Sequence, residues 1–540
     1  MNPWQTAGAA GTDFKYLTMK SSDDLILSID FGTQSVRSVL IDLEGNVLQL
    51  AKTEIEPYFS VAPGWAEQYP EYFRDKMFES LRKLFSETTY AKERIKAVTL
   101  TSQRSTLINL DSDGKSLRPA ISWLDQRLSS VGKYPSRLMD VALRLVNMRE
   151  AVHFAVKNGE CNWIMQNTPE IWEKTSKYLL LSGYLTWVLT GEYRDSVGCT
   201  VAYLPFDYKK QQWTDRSHMN YKMFPIEREK LPDIVKPSEV LGTITREASE
   251  LSGIPAGLPL VAAAADKASE VLGSGVITPD VACLSYGTTA TVQTTHSKYH
   301  EVIPFFPAYP SAIPDCYNTE VQIYRGYWMI SWFKKEFGLK EIQMAEQTGR
   351  HPETFFDAMV DEVPAGSMGL MLQPYWSPGV KVPGTEAKGA IIGFGDVHTR
   401  AHVYRAILEG LSYSLKEGLN RTVKRTRVPV NTIIVSGGGS QSKQAMQITA
   451  DIFNMATYRP HTYETSALGA AINAAVGMKY YNDFSAAVAA MTRRGDRYEP
   501  DRRNVEIYRE LYEKVYSKMY RHLQPLYEQI RDVTGYPPKI

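Results

Sequence analysis

Ile29-Asp30-Phe31-Gly32-Thr33-Gln34-Ser35-Val36 reads as a strand, a tight turn and a second strand. Far downstream, Leu284-Ser285-Tyr286-Gly287-Thr288-Thr289-Ala290-Thr291 repeats the motif: an aromatic, then Gly-Thr, then a polar residue and a small one. Two unrelated hairpins could share so short a match, and so could two related domains facing one cleft.

Around the first copy, Leu25–Asp30, Val36–Ile41 and Val47–Lys52 read as an antiparallel meander. Pro70 opens a helix with Phe73, Met77, Leu81 and Leu84 on one face, and Ile95–Thr101 and Leu107–Leu110 return to strand. The region 163–192 reads helical. Around the second copy, Val281–Tyr286 and Ala290–Thr294 flank the turn. Thr432–Val435 then leads through Gly437-Gly438-Gly439-Ser440 into a helix over Lys443–Phe453. Meanders followed by helix–strand alternation give an α/β class with mixed sheets.

The whole chain sets bounds. It has 540 residues, 43% hydrophobic and 22% charged, so a sizeable core is expected. Lys plus Arg is 61 against 60 for Asp plus Glu, which argues against a protein built around polyanions, nucleic acid included. The four cysteines, Cys161, Cys199, Cys283 and Cys316, form no C-x-x-C, and a reducing compartment is the natural reading. No apolar run is long enough to span a bilayer. Residues 1–24 read as a loose extension without the pattern of a secretory signal. Tyr508, Tyr512, Tyr516 and Tyr520 recur at helical spacing and read as a stripe packing a terminal helix on the core.

Several chemistries fail on motif grounds: there is no G-x-x-x-x-G-K-[ST] loop, no G-x-G-x-x-G after a strand and no G-x-S-x-G elbow. His398 and His402 share a helical face but lack the Glu of H-E-x-x-H and a third ligand, and read as helix-start residues.

The residues that remain suit phosphate and polyol chemistry. Gly32 has no Cβ, so backbone donors can approach a phosphate, and Thr33, Gln34 and Ser35 add side-chain donors. Asp30 could hold a magnesium ion through water; a plain polar hairpin is the alternative. The second turn has Ser285 where the first has Asp30, so it would support phosphate only. The glycine run could seat a planar base, or be a flexible loop. Asp266, after Ala262–Ala265, could accept a proton in a cleft or cap the helix that follows. Thr101-Ser102-Gln103-Arg104-Ser105 and Trp123-Leu124-Asp125-Gln126-Arg127 together suit a polyhydroxylated ligand.

In this order the motifs resemble the FGGY carbohydrate kinases: Asp30–Ser35, Gln103-Arg104, Trp123–Arg127, Asp266, Gly287-Thr288-Thr289, Gly437–Gly439 and Glu464–Ala471, over about residues 25 to 490. The resemblance implies two actin-like, ribonuclease-H-like domains around a central cleft holding ATP and sugar. The expected division is an extension over 1–24, an N-terminal domain over 25–274, a C-terminal domain over 275–490 and a helical tail over 491–540. By position, Asp30 would hold Mg²⁺. Gly32, Thr33, Gln34, Ser35, Gly287, Thr288 and Thr289 would bind phosphates, and Gly438, Gly439 and Ser442 would border the adenosine. Asp266 falls on the catalytic base, and Gln103, Arg104, Trp123, Asp125 and Lys267 fall in or near the sugar pocket.

The departures inform substrate choice. Many members carry Gln where this chain has Lys267. Ser105 replaces the Glu of the glycerol kinases' Gln-Arg-Glu, and Arg104-Ser105 replaces the Met-His of the xylulose kinases' Gln-Met-His. The expected reaction is ATP-dependent phosphorylation of a ketopentose, such as xylulose or ribulose, or of a polyol. Glycerol kinase, and an actin-like ATPase without a sugar, are the alternatives. The expected setting is cytoplasmic, with a small-molecule partner, no nucleic acid, no membrane, and a homodimer as the assembly considered.

Overall fold

The computed structural model describes residues 21–131, 137–145, 148–304, 306–350, 352–377, 379 and 383–537. In its first half, Leu25–Phe31 (β1) pairs antiparallel with Ser35–Asp42 (β2), which pairs antiparallel with Val47–Glu54 (β3). On its other side β1 pairs in parallel with Ile95–Ser102 (β4). Beyond β4 lie Val240–Thr243 (β5) at the edge and Pro259–Ala262 (β6), which is parallel to β4 and antiparallel to β5.

The second half repeats this plan. Val281–Tyr286 (β7) pairs antiparallel with Ala290–His296 (β8), and β8 antiparallel with Tyr317–Ile323 (β9). On the other side Thr432–Ser436 (β10) runs parallel to β7, Thr457–Pro460 (β11) parallel to β10, and Arg494–Tyr498 (β12) antiparallel to β11. Order and direction match strand for strand; the second sheet adds the short edge strand Tyr309–Pro310.

The register refines the internal repeat. Phe31 pairs with Val36 and Tyr286 with Ala290, so the first turn is one residue longer than the second. Ala290 therefore corresponds to Val36, and an ungapped match of the two motifs slips by one after the turn.

β1 is buried along its length, which is why it reads as a near-continuous apolar run. Leu25, Leu27, Ile29 and Phe31 face the helix Pro70–Glu87 (α1) and its Phe73, Met77, Leu81 and Leu84. Ile26 faces the opposite way, onto Ala467, Leu468 and Ala471 of the helix Thr465–Gly477. Ser28 lies on that face too, its hydroxyl donating to Ala467 O at 2.9 Å.

That second helix belongs by sequence to the second half, yet it packs on the first sheet. The helix Asp266–Gly273 reciprocates: its Val271 clusters with Cys283 of β7 and Ile434 of β10. The two helices meet through glycines. A Cβ on Gly273 would stand 1.9 Å from Thr465 O, and one on Gly469 1.9 Å from Ser269 O. The halves are thus joined by two crossed-over helices in backbone contact.

One stretch corrects the sequence reading. Within 163–192, Lys177–Leu180 is a strand against Leu107–Leu110, between the helices Pro169–Lys174 and Leu181–Thr190. The terminal helices behave as read: Tyr508 and Tyr516 are buried against Tyr413, whose ring lies 5.0 Å from that of Tyr516. Among the described residues no helix is long and apolar enough to cross a membrane.

Candidate active site

The parallel pairing fixes where the chemistry sits. Asp30 pairs with Thr101 at the ends of β1 and β4, and Ser285 with Ser436 at the ends of β7 and β10. Gln103-Arg104 thus occupies in the first half the place that the glycine run occupies in the second. Asp266 likewise begins the first-half helix as Thr465 begins its counterpart.

In the first turn, Gly32 N–H donates to Ser35 O at 3.0 Å. Gly32 thus lends its missing side chain, while its own donor closes the turn. Asp30, nearly buried, lies 3.5 Å from Arg37, its cross-strand partner, and Arg37 also reaches Glu464 at 3.4 Å. Burial pushes the Asp30 carboxyl up to about 7; Arg37 opposes this, while Glu464, Asp266 and Glu270 add to it.

In the second turn, Gly287 O and Thr288 O accept from Tyr327 N–H and Trp328 N–H at 3.1 and 3.3 Å, which ties the turn's carbonyls back to the start of the next helix. Thr289 Oγ1 donates to Tyr324 O at 3.2 Å.

Asp266 is the first residue of its helix, and the N-cap is Ala265, which offers no side-chain cap. The Asp266 carboxylate does accept from Lys267 N–H at 2.8 Å, but from the first helical position rather than as the N-cap. The backbone leading to Asp266 is tied down: Thr101 Oγ1 donates to Ala264 O at 2.8 Å, Ser269 Oγ to the same oxygen at 3.0 Å, and Ala265 N–H to Gly198 O at 3.1 Å. Burial raises the Asp266 pKa, and Arg104 and Lys267 counter it.

The residues expected at the sugar divide. Thr33 Oγ1 donates to Gln103 Oε1 at 2.9 Å, and Trp123 Nε1–H reaches both oxygens at 3.1 and 3.2 Å, so the first turn, Gln103 and Trp123 form one cluster. Arg104 forks onto Glu320 of β9 at 3.0 and 3.2 Å, across the junction of the halves. Asp125 is spent internally: its carboxylate accepts from Ala66 N–H at 2.6 Å, Arg127 N–H at 2.9 Å and the Arg127 guanidinium at 2.7 Å. Lys267 Nζ lies 3.0 Å from Glu270 and 2.5 Å from Ser285 Oγ at the head of the second turn.

The comparisons with known proteins decide the family. Residues 25–273 match the N-terminal domain, and residues 282–478 the C-terminal domain, of the FGGY family of carbohydrate kinases. The chain belongs to the FGGY family of carbohydrate kinases. It is 32% identical to a protein named uncharacterized sugar kinase YgcE from Escherichia coli, over 90% of this chain and 91% of that one. It is 28% identical to a xylulose kinase of Lactococcus lactis, over 90% and 94% of the two chains. Its fold matches that of a xylulose kinase from Rhodospirillum rubrum with a TM-score of 0.77 at 24% identity, covering 93% of this chain and 100% of the other.

The glycine run of this FGGY kinase, expected to border the adenosine, is packed closely at two of its three positions. Gly437 has φ +84°, and a Cβ there would press on the Tyr286 backbone at 2.9 Å; one on Gly439 would strike the Tyr327 ring at 2.3 Å. Those tyrosines stack at 4.3 Å beneath the run. Gly438 alone of the three faces open space. Ser442 caps the next helix, accepting from Ala445 N–H at 3.1 Å, and donates to Asp357 at 2.7 Å. The His398/His402 pair serves a helix start, where His402 completes a capping box with Thr399.

Arg37, Glu270, Asn318 and Glu320 carry no local motif and escape a reading by segment. The one signal for Glu320 and Asn318 is alternation on β9, which places polar residues two apart on one face.

Proposed function

We propose that this FGGY kinase transfers the γ-phosphoryl group of ATP to a hydroxyl of a ketopentose, such as xylulose or ribulose, or of a polyol, with Asp266 as general base. The observation that carries this is the setting of Asp266. It sits at a helix start, and its counter-charges are Arg104, which follows Gln103 in the chain, and Lys267, which reaches Ser285 at the head of the second turn.

Asp266 would take the proton from the attacking hydroxyl, and its raised pKa makes it a better acceptor than an exposed Asp. Gly32–Ser35 and Gly287–Thr289 would hold the phosphates from opposite sides, with Gly438, Gly439 and Ser442 beside the adenosine. Lys267, at the head of the second turn, would act on phosphoryl oxygens rather than on the sugar.

Asp30 fits Mg²⁺. A nearly buried carboxylate with Glu464, Asp266 and Glu270 near it, against the one guanidinium of Arg37 at 3.5 Å, is a site where further positive charge is welcome. An ion held by one carboxylate, water and phosphate needs no cage of protein ligands. When bound, Mg²⁺ neutralises charge on the transferring group.

The departure at Ser105 supports an acceptor other than glycerol. Its hydroxyl donates to Val201 O at 2.8 Å, so it does not stand in for a carboxylate. The xylulose kinase relative favours a ketopentose.

The test is ADP release with ATP, Mg²⁺ and a panel of glycerol, tetritols, pentitols, pentuloses and hexuloses. A pentulose or pentitol should give the highest kcat/KM. Glycerol as best acceptor would make the protein a glycerol kinase, and ADP release indifferent to every acceptor would leave an ATPase.

A further inference from the structure

Beside Asp266 lies a narrow crevice lined by Arg104 and Lys267 from the first half and by Gln293, Tyr309, Asn318 and Glu320 from the second. Its internal volume is about 10 Å³, room for roughly one water. Both of its cations are already matched: Arg104 by the Glu320 fork at 3.0 and 3.2 Å, Lys267 by Glu270 at 3.0 Å. The Tyr309 ring lies 5.3 Å from the Arg104 guanidinium.

Asn318 is incompletely satisfied. It is 1% exposed, and its Nδ2 has no partner. Its Oδ1 lies 3.2 Å from Thr295 Oγ1, whose single proton also faces Val276 O at 2.9 Å. Whichever way the amide is turned, one of its polar atoms lacks a full partner, and a buried amide in that state seeks a hydrogen-bonding ligand.

We propose that Glu320 and Asn318 form a second wall of the acceptor pocket, and that this wall selects a neutral polyol or ketose over the corresponding aldonate. The inference rests on the kinase reading above. A sugar hydroxyl can donate to Glu320 and accept from Asn318. An incoming carboxylate meets Glu320, with Asp266 near by, where both cations of the crevice, Arg104 and Lys267, are already matched by Glu320 and Glu270, and like charges repel. Specificity then comes partly from the second half, through an acid that a smaller or uncharged residue would not provide.

The experiment uses the full chain with ATP, Mg²⁺ and matched acceptors: xylitol with xylonate, ribitol with ribonate, glucitol with gluconate, and xylulose and ribulose. For the pair that turns over best, the neutral member should have a kcat/KM at least about tenfold above its acid. Glu320→Gln, which keeps shape and one Arg104 hydrogen bond, should narrow that ratio about tenfold, and Asn318→Ser should raise the acceptor KM about tenfold with the ATP KM unchanged. If Glu320 only braces the halves, Glu320→Gln lowers both members alike and leaves the ratio intact, which overturns the proposal. So does a wild-type preference for the acid. Failure of every acceptor, neutral or acidic, would sink the kinase reading itself and this inference with it.

Discussion

Lys267 Nζ, beside the proposed base on the first-half helix, lies 2.5 Å from Ser285 Oγ, at the head of the second-half turn. Glu270 closes the ring: it receives Lys267 at 3.0 Å and the Ser285 hydroxyl at 2.9 Å. Burial works against the ammonium, but Glu270 and Asp266 outweigh it and hold the Lys267 pKa up. One lysine thereby joins the helix that carries the base to the turn that would carry phosphate, where many family members have an uncharged Gln.

This ring yields a separable test. Lys267→Met strands the nearly buried Glu270 carboxylate, at a cost of about 3–5 kcal/mol in stability. Adding Glu270→Gln should recover most of the melting temperature. If Lys267 also acts on phosphoryl oxygens, the double variant stays slow, with kcat down about tenfold or more. Recovery of kcat together with stability would make Lys267 a brace alone.

Asp266→Asn addresses the base. Asn keeps the shape and the contact to Lys267 N–H but takes no proton. Because Ala265 is the N-cap, no cap is lost, and removing a buried charge with a raised pKa leaves the melting temperature unchanged or higher. Turnover should fall by about 10²–10⁴ with ATP affinity little changed. Near-wild-type kcat would leave the proposed mechanism without its base.

The contrast between what was readable and what was not follows from sequence distance. The two turns announce themselves because glycine and threonine in a hairpin are local signals. β1 is readable because burial on both faces writes an apolar run. Lys177–Leu180 is hidden because four residues between helices fall within a helical pattern. Arg104 and Glu320 meet across 216 residues, and no periodicity links them. The crossing of Asp266–Gly273 and Thr465–Gly477 onto each other's sheets is a tertiary choice, and glycines that let backbones touch look in sequence like glycines anywhere. The pairing of Asp125 with Arg127, two residues on, is likewise not announced by the segment, where a carboxylate beside an aromatic reads first as a ligand contact.

The crossing helices can be tested by adding a single carbon. Gly273→Ala and Gly469→Ala each place a Cβ 1.9 Å from a facing carbonyl oxygen, which backbone movement alone can relieve. Each should cost at least about 1–3 kcal/mol. Gly438→Ala, with nothing within 4 Å of the new carbon, should leave the melting temperature unchanged while raising the KM for ATP. Equal melting temperatures for all three variants would remove the close approach as a structural requirement.

Asp195 provides a pH test away from the two glycine-threonine turns. It is 2% exposed, accepts from Ser182 Oγ at 2.8 Å and from Ser196 N–H at 2.7 Å, and its neighbour Ser196 donates to Ala263 O on the approach to Asp266. Burial raises its pKa to about 7, against the lowering effect of those hydrogen bonds and of Cys199. A carboxyl whose folded pKa lies above its unfolded value, 3.8, binds its proton more tightly when folded. Its contribution to stability is therefore complete below the unfolded value and is lost as pH rises through the folded one, at up to about 1.4 kcal/mol per pH unit. Asp195→Asn keeps the shape, can accept from Ser196 N–H and can donate to Ser182, and it does not titrate. The melting temperature of this variant minus that of the wild type should therefore climb from pH 4 to pH 7 and level off above it. A difference that is flat across the range, or that falls with pH, would mean that Asp195 is held ionised by its hydrogen bonds.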